Sequence, residues 1–142
     1  MPFRKKLVVL LLMAYLPAAV FAAGAKDPTA VALDHCLNDA ANASTAGQTD
    51  CETTATQAYD HRMNAAYSTL IHTLPTNVAN DLRASQRTWL AFRDQEGKAR
   101  GAIYETRQGT MYVPMQAGDS TNVIRDRALQ LEGYVTVMAI DP

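Results

Sequence analysis

The chain of 142 residues has only three histidines, two cysteines and one tryptophan, and it lacks the motifs of the common enzyme classes. It has no glycine-rich phosphate loop and no His-Glu-x-x-His metal motif. His61 and His72 are three helical turns apart, which is too far to bind one ion. Asp60, Asp94 and Glu96 could form the acid/base pair of a hydrolase, but charged residues on helix faces are usually solvated. These absences favour a non-enzymatic protein with no catalytic residues, no metal and no cofactor.

A single long apolar run occurs in the sequence, and it lies at the N-terminus. A positive start at residues 4–6 precedes an uncharged run over residues 7–21. This run is shorter than the roughly 20 residues that a membrane-spanning helix needs, and small residues follow it, as at a signal peptidase site. The pattern predicts a cleaved signal peptide over residues 1–25, with cleavage after Ala22 or Ala25, and an exported periplasmic domain over residues 26–142, with no membrane segment. An uncleaved membrane anchor is the alternative.

The exported domain is expected to be acidic. The whole chain has 13 basic and 14 acidic residues, and three of the basic residues lie in the predicted signal peptide. Residues 26–142 therefore carry 10 basic and 14 acidic residues, a net charge near −4. A surface of this sign favours approach to a cationic partner through electrostatic steering. No basic patch is dense enough to indicate a nucleic-acid partner.

Both cysteines, Cys36 and Cys51, lie in the predicted exported domain. In an oxidising compartment an isolated pair of cysteines usually forms a disulfide, so we expect a bond between them. Closing a loop of this length stabilises a fold by about 3 kcal/mol in the chain-entropy model. A metal site is the alternative because His35 adjoins Cys36, although two adjacent ligands have poor spacing for zinc.

Four segments of the domain show the periodicity of helices, and no segment alternates for long enough to indicate a strand. We expect a first helix over residues 29–42, a second over 50–74 and a third over 76–106. A fourth helix is expected to begin at Asp119 or Ser120, either of which can cap it. Short connections between long helices favour antiparallel packing. The sequence thus predicts an all-α fold, a small antiparallel bundle of three to four helices with one disulfide.

Apolar stripes on the long helices predict the core. Tyr59 and Met63 belong to the stripe of the second helix, and Leu82, Trp89 and Phe92 belong to that of the third. Residues at such spacings share one helix face. We therefore expect Trp89 and Met63 to share an interior. The alternative for the single tryptophan is an aromatic hot spot that faces a partner.

Polar residues beside these stripes are candidates for a structural cross-brace between the second and third helices. Asp60 and Asn64 lie one turn apart on the second helix, and Arg87 and Arg93 lie on the third. A guanidinium can bind a carboxylate with two hydrogen bonds. We expect these residues, together with Trp89, to connect the two helices, with a binding role as the alternative.

The segment between the third and fourth helices, residues 108–118, contains turn-forming residues and is nevertheless apolar. An apolar loop either covers the core or binds something. If it binds, Met111, Tyr112 and Met115 are the candidate partner-binding residues, with the neighbouring Arg107 as a cation beside them.

Two sequence blocks resemble motifs of a known family. They are Tyr59-Asp60-x-x-Met63-Asn64-x-x-Tyr67 and Gln86-Arg87-x-Trp89-Leu90-x-Phe92-Arg93-Asp94. With the cysteine pair and Arg125-Asp126-Arg127-Ala128, they resemble the LprI-type lysozyme-inhibitor family of exported bacterial proteins, over residue 36 to about residue 134. Many members have a further cysteine where this chain has Glu96-Gly97, so the resemblance implies a single disulfide here. It implies a helical periplasmic protein and supplies no catalytic residue.

The resemblance suggests lysozyme as a protein partner. An inhibitor has to fill a cleft that contains two carboxylates, and Arg107 could meet one of them. We therefore expect a non-enzymatic binding protein of the cell envelope that inhibits a lysozyme. The alternative is an envelope interaction module, such as an immunity protein, with a different protein partner. The oligomeric state stays open.

Overall fold

The computed structural model describes residues 26–140, and the predicted signal peptide lies outside the described residues. The described chain contains four α-helices and one short 3₁₀ turn, and it contains no strand. The helices are α1 (Pro28–Asn38), α2 (Thr45–Thr73), α3 (Thr76–Glu105) and α4 (Tyr112–Met138), with the 3₁₀ turn Ala40–Asn42 after α1. The prediction of an all-α bundle is confirmed. Between residues 26 and 140, no helix is both long and apolar enough to cross a bilayer.

Helices α2 and α4 form the centre of the molecule and run parallel to each other. Thr56 of α2 lies beside Thr121 of α4, with 2.9 Å between their hydroxyl oxygens. Further along the same two helices, Arg62 pairs with Glu132. The core between them consists of Tyr59, Met63, Ala66 and Leu70 from α2 and Ile124, Ala128 and Leu131 from α4. Helix α3 returns antiparallel to both, as its short connections predict.

Helix α3 covers this core mainly with its first half. Its buried residues are Ala79 and Gln86, and Leu82 and Trp89 pack half-buried against the core cluster that contains Met63. The predicted apolar stripe is wrong beyond Trp89. Phe92 is 55% exposed, and beyond Trp89 the residues of α3 that face α2 are Arg93 and Arg100, which line an open groove.

The boundaries around α1 and α2 differ from the prediction. Helix α1 ends at Asn38 rather than at residue 42, because Asp39 has extended backbone and its carboxylate caps the following 3₁₀ turn. Helix α2 begins at Thr45, five residues earlier than predicted. Ser44 supplies the cap, since its hydroxyl accepts a hydrogen bond of 3.0 Å from the amide of Gly47.

The largest correction concerns residues 112–118, which were predicted as loop and form the first two turns of α4. Pro114 is compatible with this because it lies in the first turn, where an amide N–H would have no helical acceptor. The connection is therefore limited to residues 106–111. Gly109 has φ of +119° there, a conformation that L side chains rarely adopt.

Candidate functional site

The predicted cross-brace between α2 and α3 is not formed. Asn64 donates to Asp60 at 2.9 Å within α2, and Arg93 pairs with its neighbour Asp94 at 2.7 Å. Arg87 is exposed. An open groove separates the two helices here, and Asp60, Asn64 and Arg93 line it. Asp60, Asn64 and Arg93 therefore bond to neighbouring side chains of their own helix and not across to the other helix.

The buried connection that ties the first half of α3 to the central pair consists of Gln86, Trp89 and Arg127. Arg127 donates through Nε to the Oε1 atom of Gln86 at 2.9 Å, and its guanidinium lies 5.8 Å from the centroid of the Trp89 ring. Arg127 is only 6% exposed, and this burial lowers the pKa of its guanidinium. Sequence reasoning missed this pair, although Arg127 stands in the apolar stripe of α4 between Ile124 and Leu131.

A second polar cluster fastens the start of α1 to α2 and α4. Arg62 donates two hydrogen bonds to Glu132, at 2.8 and 2.7 Å, and a third to Asp27. Tyr59 also donates to Asp27, at 2.8 Å. Partial burial alone would raise the pKa of Asp27, but the hydrogen bonds from Arg62, Tyr59 and the amide of Thr29 lower it. Burial and the bond to Asp27 raise the pKa of Tyr59 to about 12. Since these groups satisfy one another, we assign the cluster a structural role.

The predicted disulfide between Cys36 and Cys51 is confirmed, with 5.8 Å between the two Cα atoms. It holds α1 against the first turns of α2. This attachment matters because α1 contains no buried residue of its own. Among residues 26–140, no three His, Cys, Asp or Glu side chains come close enough together to hold a metal ion.

The end of α3, the connection and the start of α4 form a hairpin tip, residues 104–115. Three apolar side chains at this tip face solvent: Met111 is 61% exposed, Val113 is 54% exposed and Met115 is 49% exposed. Arg107 is exposed beside them and makes no salt bridge within the described residues. The structure therefore leaves the candidate residues Arg107, Met111 and Met115 exposed at the hairpin tip, and Met111 and Met115 line one groove there.

Two tyrosines give the hairpin tip its shape. The half-buried ring of Tyr112 lies 6.4 Å from that of Tyr104, measured between centroids. Tyr104 donates to the carboxylate of Asp119 at 2.7 Å, and this bond raises the pKa of the phenol. Asp119, predicted as the cap of α4, instead lies in its second turn and ties α3 to α4. Tyr112 thus supports the tip more than it extends the exposed surface.

A groove of about 530 Å³ lies between the hairpin tip and the start of α2. Apolar side chains line it on both sides: Leu37, Ala43, Met111, Pro114 and Met115. Glu52 and Asp119 add carboxylates to the same groove. The Oε2 atom of Glu52 is buried and has no hydrogen-bond partner within the described residues. The groove is thus an apolar surface with acidic groups at its margin.

The segment that contains α1 and the first half of α2 is negatively charged. Residues 27–61 contain six acidic residues and no lysine or arginine. Asp27 is paired with Arg62, and the other acidic residues make no salt bridge within the described part of the chain. They are Asp34, Asp39, Asp50, Glu52 and Asp60. Glu52 of this segment lies in the groove, and the groove and the hairpin tip together form one candidate protein-binding surface.

Comparisons with known proteins agree with this architecture. A crystal structure of an uncharacterised protein from Burkholderia thailandensis is similar, with 41% sequence identity and a TM-score of 0.70. The match covers 75% of this chain and 53% of that one, so this chain spans about half the length of that protein. A search of curated proteins finds no significant match. Residues 36–131 match the family model described as "Lysozyme inhibitor LprI". This stretch contains both cysteines, Gln86, Trp89 and Arg127, and the chain belongs to the LprI lysozyme-inhibitor family.

Proposed function

We propose that this protein is exported to the bacterial periplasm and inhibits a lysozyme by binding it, without catalysing a reaction. Family membership supports an inhibitor that binds a protein partner. We choose this surface because Met111, Val113 and Met115 are exposed on the hairpin tip. These side chains contribute little to the protein's own core. They are therefore free to fill a cleft, where apolar anchors supply most of the binding energy.

The charges beside the hairpin tip suit a basic partner with an acidic cleft. Animal lysozymes are basic, and the acidic segment over residues 27–61 would steer such a protein toward the groove. The cleft of a lysozyme contains two carboxylates. Arg107 is the exposed cation at the tip and would meet one of them. In this arrangement the apolar tip enters the cleft and the acidic segment faces the basic surface around it.

The test is the rate at which lysozyme clears a suspension of bacterial cell walls, with the protein purified after expression of the full chain. The unaltered protein should slow clearance. The double variant Met111→Asp with Met115→Asp should weaken inhibition by about tenfold or more, because it brings unpaired charges into the apolar contact. Val137→Asp is the matched control, since Val137 is 62% exposed and lies roughly 33 Å from Met115 along α4. This control should inhibit normally.

Two results would count against the proposal. Unchanged clearance in the presence of a molar excess of protein, with several lysozyme types, would remove lysozyme as the partner. Equal loss of inhibition in the tip variant and in Val137→Asp would remove the hairpin tip as the binding surface. Capture of one endogenous envelope protein, in a manner that depends on the tip, would instead support the envelope interaction or immunity-type module.

A further inference from the structure

A second groove, almost wholly apolar, lies at the end of the molecule opposite the hairpin tip. It has a volume of about 380 Å³ and lies where α3 begins and α4 ends. Its apolar lining consists of Leu70, Leu74, Val78, Leu82, Val137 and Met138. Val78 is 41% exposed, Met138 49% and Val137 62%, so the groove is open to solvent.

Arg127 does not itself line this groove, but it is connected by hydrogen bonds to two of the residues that do. The Nη2 atom of Arg127 lies 3.4 Å from the hydroxyl of Ser85, and Gln130 connects Arg127 to the hydroxyl of Tyr134. Ser85 and Tyr134 both line the groove. Asp81 also lines it but is exposed, and no carboxylate between residues 26 and 140 forms a salt bridge with Arg127.

The buried positive charge of Arg127 therefore has no negatively charged partner between residues 26 and 140. Its hydrogen-bond acceptors are the neutral side chains of Gln86, Gln130 and Ser85. Removing a charged group from water costs several kcal/mol, and neutral acceptors and the face of Trp89 offset only part of this cost. A carboxylate is the missing complement, because a guanidinium binds it with two charge-assisted hydrogen bonds.

We propose that this groove binds a single-chain amphiphile with a carboxylate head group, namely a free fatty acid of medium chain length. The acyl chain lies along the apolar side chains between α3 and α4, and the carboxylate lies beside Ser85 and reaches Arg127. Val78 and Ser85 are separated by roughly 10 Å along α3, which suits a chain of medium length. The site is remote from the hairpin tip, so the inference does not depend on lysozyme binding.

Decanoate and 1-decanol have the same number of carbon atoms and differ in head group. Titration calorimetry with both ligands therefore separates recognition of the carboxylate from apolar adsorption. Decanoate should bind about tenfold more tightly than decanol or better, the effect of one charged hydrogen-bonded contact. Ser85→Asp places a fixed carboxylate beside Arg127 and should abolish this preference. Gln95→Asp, which adds the same charge on the exposed side of α3 outside the groove lining, should retain it. Because Ser85 and Gln95 are both exposed, both variants should fold.

Three outcomes would overturn the proposal. Equal affinities for decanoate and decanol, or no saturable binding of either, would mean that Arg127 recognises no head group. Unchanged decanoate binding in Ser85→Asp would place the carboxylate elsewhere. Sedimentation as a dimer that Val137→Asp converts to a monomer would assign the groove to a second copy of the chain.

Discussion

The Nε atom of Arg127 on α4 donates a hydrogen bond of 2.9 Å to Oε1 of Gln86 on α3, and both side chains are buried. Helix α3 buries one other residue, Ala79, near its start. The bond between Gln86 and Arg127 is therefore a buried polar attachment of α3 to the central pair of helices, whereas the bond from Tyr104 to Asp119 is exposed. The buried bond also holds Arg127 beside the face of Trp89.

Gln86→Ala should lower the free energy of unfolding by about 1 to 3 kcal/mol, because it leaves a buried charged donor without its acceptor. Urea unfolding followed by the fluorescence of Trp89 measures this change. Gln95→Ala is the matched control on the exposed side of α3, and it should change stability by less than about 0.5 kcal/mol. Equal unfolding midpoints for the two variants would contradict the role of Gln86.

The lowered pKa of Asp27 predicts that the attachment of α1 is sensitive to acid. A carboxyl group whose pKa is lower in the folded state stabilises the fold above its unfolded pKa of 3.8, and this stabilisation is lost as the pH falls through the folded pKa. Asp27→Asn should therefore destabilise the protein by about 1 to 2 kcal/mol near neutral pH. The difference from the unaltered protein should shrink in acid.

Denaturant unfolding over a series of pH values checks this prediction. Asp50→Asn is the control, since Asp50 is exposed and its carboxylate makes no hydrogen bond within the described residues. A stability difference between Asp27→Asn and the unaltered protein that stays constant from neutral pH into acid would exclude the proposed linkage.

The sequence predicted α2 and α3 well because each carries a long apolar stripe and Pro75 separates them. The predicted start of α4 is wrong, because Pro114 and Gly118 are residue types that usually break helices. Pro114 is harmless in a first turn. Gly118 packs against Glu52, whose Oε1 would stand 3.2 Å from an added Cβ. Tertiary contact thus accounts for Gly118, whereas the position of Pro114 within the helix accounts for Pro114.

The candidate binding residues were predictable for a local reason, whereas the buried polar pair was not. Met111 and Met115 stand out in sequence because apolar side chains between turn formers need a partner. Gln86 and Arg127 pair only because one face of α3 meets one face of α4, and helical periodicity alone does not state which faces meet. The acidic margin of the groove likewise arises only where α2 meets α4, because Glu52 and Asp119 come from these two helices.

Loss of the Cys36–Cys51 disulfide should release α1 and leave the central core folded. Helix α1 has no buried residue, and besides the disulfide it is held by the cluster of Asp27 and Arg62. Replacing both cysteines by serine should lower the free energy of unfolding by about 3 kcal/mol. Hydrogen exchange should show lost protection in α1 and retained protection around Leu131 in α4. Uniform loss of protection throughout the chain would contradict this local release.

Gly47 and Gly97 both lie within helices, but the space around them differs. A Cβ atom at Gly47 would stand 2.8 Å from the Cα atom of Asn42, whereas nothing lies within 4 Å of one at Gly97. Gly97→Ala should therefore stabilise the protein by up to about 1 kcal/mol through helix propensity. Gly47→Ala should destabilise it by about 1 to 3 kcal/mol, because the 3₁₀ turn has to move away. Urea unfolding gives the free energy of unfolding of both variants. Because both gain helix propensity, the difference between them measures the cost of the close contact at Gly47. If both variants gain stability equally, the backbone at Asn42 yields without penalty and does not limit the residue at position 47.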